Sequence, residues 1–171
     1  EDMLFRLSGG IYIQPPFYRE LRMFDGSLVS PEEASTQKSY QVVLTHEYKF
    51  DAWNRPFILT SEFYYKYLKD IIPYEVDNIR IRYYADQKAT GYATGLDLRL
   101  NGEFVKGIES WASLSLMKTA ESIKYYLSPS GEILSQTDIN NGETYISDTL
   151  IRGIPRPSDQ RINFSLFFQD Y

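Results

Sequence analysis

The sequence predicts an all-β protein: an antiparallel, up-and-down segment of a transmembrane β-barrel, with about six strands. Three observations predict it. Apolar side chains recur at every second residue over long stretches. The links between those stretches alternate between short and long. Aromatic residues gather where the stretches end.

Successive strand side chains point to opposite faces, so a period of two gives one apolar and one polar face. From Leu4 to Gln14, Phe5, Leu7, Gly9, Ile11 and Ile13 alternate with Arg6, Ser8, Gly10, Tyr12 and Gln14. From Tyr40 to Ala52, Tyr40, Val42, Leu44, His46, Tyr48 and Phe50 oppose Gln41, Val43, Thr45, Glu47 and Lys49. From Phe57 to Ile71, Phe57, Leu59, Phe63, Tyr65, Tyr67 and Lys69 oppose Thr60, Glu62, Tyr64 and Lys66. From Tyr92 to Phe104, Leu96, Leu98 and Leu100 oppose Asp97, Arg99 and Glu103. Trp111–Thr119 contributes Leu114 and Leu116, and Ile162–Tyr171 contributes Ile162, Phe164, Leu166 and Phe168. Lys69 and His46 both fall on the apolar face. Lys69 lies near a strand end, where it can snorkel. His46 is near mid-strand and calls for a local bulge or a neighbouring protein group.

Trp53–Pro56 and Lys106–Ser110 are tight links. Roughly 15–39, 73–90 and 120–161 are long ones. In the first, Ser30-Pro31-Glu32-Glu33 predicts a short helix, with an N-cap, Pro at the first helical position and acids in the first turn. In the second, Ile79–Tyr83 alternates and is expected to extend the strands. In the third, Pro129-Ser130-Gly131, Asn140-Asn141-Gly142 and Pro155-Arg156-Pro157 read as loop punctuation.

Composition narrows the function. The 171 residues carry 18 basic and 23 acidic side chains, a net charge of −5, which excludes a general nucleic-acid binder. The absence of cysteine removes disulfides, thiolate metal sites and thiol nucleophiles. A single histidine leaves little room for a His-based metal cluster or a Ser-His-Asp triad. No apolar run reaches the roughly 20 residues of a membrane helix. The first residues, Glu1–Phe5, and the last, Phe167–Tyr171, lie in or near an alternation, so residues 1–171 are expected to be a piece of something longer.

Two environments suit such strands. A soluble sandwich or barrel would turn the apolar faces to a shared core, and a carbohydrate- or peptide-binding module is then the expectation. A membrane barrel would turn them to lipid. Strands of about 11–15 residues exceed the ~5–6 typical of soluble sheets. Phe50, Trp53 and Phe57 flank one tight link, Phe104 and Trp111 flank the other, and Tyr12, Tyr40 and Tyr67 lie toward the opposite ends. Such placement suits two interfacial girdles.

Several runs carry a resemblance. They are Gln14–Leu21, Phe63–Leu68 with Ile72–Tyr83, Gly91–Asp97, Asn101–Lys106 with Glu109–Trp111, Ile154–Arg161 and Phe167–Tyr171. In this order the chain resembles the C-terminal barrel of Bacteroidetes-type TonB-dependent outer-membrane receptors. The resemblance implies a parent with a plug and a barrel of about 22 strands, located in the outer membrane and importing a bulky ligand with energy delivered by TonB. It implies that this segment lacks plug and TonB box, that the tight links are periplasmic and the long ones extracellular, and that a surface lipoprotein is a possible partner. It brings no catalytic residues. A passive porin-like channel is the other membrane reading.

No enzyme, cofactor or metal role is expected. His46-Glu47 lacks the second histidine of a zincin helix, and Asp138–Glu143 lacks EF-hand spacing. The polar face offers Arg6, Glu47, Lys49, Glu62, Lys66, Asp97, Arg99 and Glu103 as lumen-facing candidates. Phe17, Tyr18, Arg19, Arg80, Arg82, Tyr83, Tyr84, Tyr125 and Tyr126 lie in or near the long links, where binding residues concentrate, and are candidates for extracellular ligand contact. Arg80 and Arg82 could also meet lipid phosphates or form cross-strand ion pairs.

Overall fold

A computed structural model describes residues 2–22, 26–30, 36–85, 87–131, 133–134, 142 and 144–169. The strands are β1 (Asp2–Gln14), β2 (Gln37–Ala52), β3 (Arg55–Ile71), β4 (Tyr74–Asp77), β5 (Arg80–Tyr83), β6 (Ala89–Val105), β7 (Ile108–Leu127), β8 (Ile133–Leu134), β9 (Ser147–Pro155) and β10 (Ile162–Gln169). All named strand pairs are antiparallel. The main path runs β1-β2-β3-β6-β7-β10, and β8 and β9 also pair with β7. β1 and β10 do not pair with each other, so the sheet is open.

All six expected strands are present. Their register lines up the apolar sets. Leu7, Leu44, Phe63, Leu96, Leu116 and Ile162 form one cross-strand row. Phe5, His46, Ser61, Leu98, Leu114 and Phe164 form the next. The tight links are two-residue turns. Trp53 and Asn54 both have positive φ (54° and 57°), the backbone that matches the twist of paired strands. In the other turn only Gly107 does (80°), and its N–H donates to the Glu103 carboxylate (3.2 Å).

Two expectations about the long links are corrected. The third link is not a loop from residue 120. β7 continues to Leu127, and β9 lies along its upper half from Ala120 to Leu127. The apolar alternation of Ala112, Leu114 and Leu116 breaks at Lys118, and beyond it the even Ala120 and Tyr126 and the odd Ile123 are all buried, Ile123 with Ile71 and Ala89. The second link does not extend the main strands. It forms a separate hairpin of β4 and β5. β3 ends in a bulge between Leu68 and Ile71, with Asp70 at φ 56°, and the bulge turns Ile71 to the polar face. Gly91 permits this: a Cβ there would lie 2.8 Å from the Ala120 carbonyl oxygen and 3.3 Å from Ile71 Cδ1. In the first link, a 3-10 turn at Tyr18–Leu21 is closed by Glu20, whose carboxylate accepts the Phe17 N–H (2.8 Å) and the Gln37 amide (3.1 Å). The expected helix start at 31–33 lies outside the described residues.

β9 and β10 form one interrupted neighbour of β7. Pro155 pairs with Ala120 and Ile162 with Leu116, so six residues, 156–161, arch over three. The arch still serves the β7 backbone. Met117 N–H donates to the Arg161 carbonyl (3.2 Å), and Thr119 N–H donates to Asp159 Oδ1 (2.7 Å). A strand edge left without partners would lose about 1–3 kcal/mol per buried donor.

Candidate functional site: two faces of one sheet

Many apolar side chains of β1, β2, β3 and β10 are exposed. Leu7 is 73% exposed, Phe5 65%, Ile162 70% and Phe63 52%. On β2 and β3 the polar face is the more covered one: Thr45, Glu47, Glu62, Tyr64 and Lys66 are half-buried, while Val42, Leu44, Phe63 and Tyr65 are exposed. A sheet coiled with its polar face inside gives this order. The described residues place no second layer over the apolar face.

Rings close the apolar face at both ends. At the turn end Phe57, 2% exposed, lies between Phe50, Trp53 and Phe104, each 5.8 Å away. Phe168 continues the set beside Phe104 at 6.3 Å. At the other end Tyr40 meets Tyr67 at 6.2 Å, and Tyr65 meets Tyr92 at 6.4 Å. Tyr12 pairs with Ser39 on the polar face and is not part of this belt. Neither is Trp111. It pairs with Asn101 and Phe167, on the polar face, stacks on Phe167 (5.7 Å) and lies under the Arg99 guanidinium (4.8 Å).

The register brings the polar-face candidates together. Arg6, Thr45, Glu62 and Asp97 share one row, and Glu47, Thr60 and Arg99 share the next. Thr45 Oγ1 donates to Glu62 (3.3 Å), Lys49 pairs with Glu47 (3.5 Å), and Arg99 Nε donates to Asn101 (3.0 Å). The Lys66 ammonium lies over the Tyr64 ring (5.2 Å). Tyr64 itself lies across Gly95 on β6, where a Cβ would come within 2.5 Å of its Cζ. Glu103 holds the turn at Gly107.

The loop-side candidates separate into groups. Phe17 and Tyr18 are exposed (60% and 66%), with Arg19 beside them, and the 3-10 turn they begin packs beside β5. In the β4–β5 hairpin Arg82 pairs with Glu75 (4.0 Å), Tyr84 donates to the same carboxylate (2.9 Å), and Tyr83 lies against Tyr74 (5.8 Å). Arg80 is exposed. Tyr126 is buried in β7, edge-on to Tyr145 at 4.9 Å. The side chain of Tyr125 and the polar turn at 138–141 and 143 lie outside the described residues.

Sequence reasoning missed a node at the level of the upper rings. Arg156 and Glu121 form a buried ion pair (3.3 Å, side chains 17% and 5% exposed), and Arg156 also lies over the Tyr74 ring (5.6 Å). Asp159 pairs with Arg161. Its carboxyl is held below the ordinary aspartate range, chiefly by the Thr119 N–H and then by Arg161 and Lys118, against partial desolvation. The signal in the sequence was the Arg-Pro-Ser-Asp-Gln-Arg run, visible as a turn but not as a clamp.

His46 sits without a bulge. It pairs regularly with Phe5 and Ser61, and its ring stacks on Phe5 at 4.6 Å. Of the two expected explanations the bulge is excluded and the protein neighbour is Phe5. Its Nε2 is buried without a hydrogen-bond partner.

Comparison with protein-family models, with curated proteins and with solved structures finds no match. No helix among the described residues is long and apolar enough to cross a membrane, a result that bears on helices and not on strands.

Proposed function

We propose that this chain is a wall segment of an outer-membrane β-barrel, with the apolar face toward lipid and the polar face toward the lumen, and that the barrel belongs to a TonB-dependent importer. The observation that carries the membrane part is the exposed apolar face bounded by rings at both ends. Tyr40 to Phe50 is ten residue steps, about 33 Å along the strand. At a tilt of about 40° that is a band roughly 25 Å tall, the height of the apolar belt of such barrels. On β1, β2, β3 and β6 the charged side chains stay on the other face between these limits; Lys118 on β7, in the row of Val42, Tyr65 and Thr94, is the exception. Above the rings the polarity reverses, as it would where lipid gives way to water. The two unpaired edges support a wall completed by further strands, since an open edge in hydrocarbon leaves backbone groups unsatisfied.

The importer part rests on the resemblance of the runs named above. The segment would contribute wall and loops, and transport would need a plug and TonB contact supplied from elsewhere in the protein. The test has two arms. The full protein should fractionate with the outer membrane and require detergent for extraction. Recovery from the soluble fraction as a folded monomer would overturn the membrane reading. Deleting TonB should abolish uptake of the ligand. Uptake that persists without TonB points to a passive channel.

A further inference from the structure

Lys38 and Lys69 stand directly opposite each other on β2 and β3. Both belong to the apolar face, one step beyond the Tyr40–Tyr67 pair on the loop side. Like charges in directly opposed positions destabilise a sheet unless something neutralises them. Here no acid does. Among the described residues neither ammonium makes an ion pair, and Asp70, next in the chain to Lys69, is held in the bulge. Beneath the two lysines the face is apolar and open: Val42 beside Tyr65, then Leu44 beside Phe63, all between 44% and 54% exposed. Gly9, opposite Val42, leaves a shallow gap between Leu7 and Ile11 in the same face.

We propose that Lys38 and Lys69 seat the phosphate of an anionic membrane lipid, with the Tyr40–Tyr67 rings at the base of its headgroup and its acyl chains along Val42, Leu44 and Phe63. This rests on the membrane reading above. Charge complementarity selects the occupant: two unneutralised cations above an apolar track match a phosphate above alkyl chains. A protein partner would have to bring an acid and an apolar strip to the same spot, whereas the bilayer supplies both. Lysine stems reach past the ring level while their ammonium groups remain in the headgroup layer.

The full protein, purified in detergent, is titrated with phosphatidylglycerol and separately with phosphatidylcholine, and bound lipid is counted by native mass spectrometry. Phosphatidylglycerol is expected to be retained preferentially. Each basic residue near a membrane surface strengthens anionic-lipid attraction about fivefold, so Lys38→Gln or Lys69→Gln alone should weaken retention by that factor. The double variant should weaken it by more than about tenfold. Lys38→Arg with Lys69→Arg should preserve it, and Lys49→Gln on the polar face should leave it unchanged. Equal retention by the double Gln variant, or an equal loss in Lys49→Gln, overturns the proposal while leaving the membrane reading intact. Inorganic phosphate that displaces the lipid completely would reassign the lysines to a free-phosphate site and also overturn it. A protein that needs no detergent overturns both readings together.

Discussion

The lower and upper parts of this sheet use the same strands in opposite ways. Below the Tyr40–Tyr67–Tyr92 level, Leu44, Phe63, Leu96 and Leu116 point to one face and Thr45, Glu62, Asp97 and Ser115 to the other. Above it Lys38 and Lys69 take the first face, while Ile71, Ala89 and Ile123 are buried on the second with Leu68 and Ile154. The backbone period stays at two throughout. What changes is which face the apolar residues choose, and β3 makes the change with a bulge. On the membrane reading proposed above, the change marks the height at which the sheet leaves an apolar solvent.

The largest expected effect tests the lower part. Phe63→Arg should cost about 2–4 kcal/mol of stability in a bilayer, as a charge on the lipid face near mid-membrane does. Ser115→Arg, at similar depth on the polar face, should cost less than about 1 kcal/mol, as a pore-facing substitution that keeps its water. Urea unfolding of the full protein in liposomes measures both, and equal losses would erase the proposed difference between the faces. The next effect tests the upper part. Ile123→Ala should cost about 2 kcal/mol, the lower end for a buried isoleucine, because its cluster is small. Lys124→Ala, one residue on, removes only an exposed cation lying over the Tyr126 ring (4.9 Å) and should cost less than about 1 kcal/mol in the same assay.

A smaller effect lies at the seam between the two parts. The folded-state acidity of Asp159 is depressed, so its stabilisation is present above the unfolded aspartate value and fades as pH falls through the lowered one. The full protein should therefore lose stability on acidification below about pH 4. Asp159→Asn should be less stable at neutral pH and show a shallower decline in that window, read by denaturant titration at several pH values. An unchanged profile would remove the clamp from the account. Smallest of all, His46→Leu should be neutral or stabilising by up to about 1 kcal/mol, since it replaces an unpartnered buried ring nitrogen by an apolar group. A marked loss would show that the Phe5 stack matters more than the orphan nitrogen.

The lower part of β2 and β3 is legible from sequence because one alternation holds over its length. Tyr40–Ala52 and Phe57–Ile71 were read to within a few residues of β2 and β3. β7 reads as ending at Thr119 because Lys118 interrupts the apolar alternation and no single parity resumes it. The arch at 156–161 was legible as punctuation only. Its role depends on which N–H groups of a strand forty residues away it meets. The same holds for Arg156 and Glu121, which look like two ordinary surface charges until the pairing of β7 with β9 buries them. The Lys38–Lys69 opposition likewise exists only once the β2–β3 register is known.

The turn at Trp53-Asn54 has a kinetic consequence. It holds Ala52 against Arg55 with two residues between them, so the β2–β3 ladder can close from that end one pair at a time. Lys106-Gly107 does the same for β6 and β7. The β1–β2 and β3–β6 ladders begin across long links, and each must first meet the entropy of closing a large loop. The wall is thus expected to assemble as two ready hairpins, each forming in about 1–10 μs, and to wait on the slower joining of one to the other. Slowing either tight turn, for instance with Gly107→Val, should delay its own hairpin before it disturbs the finished sheet.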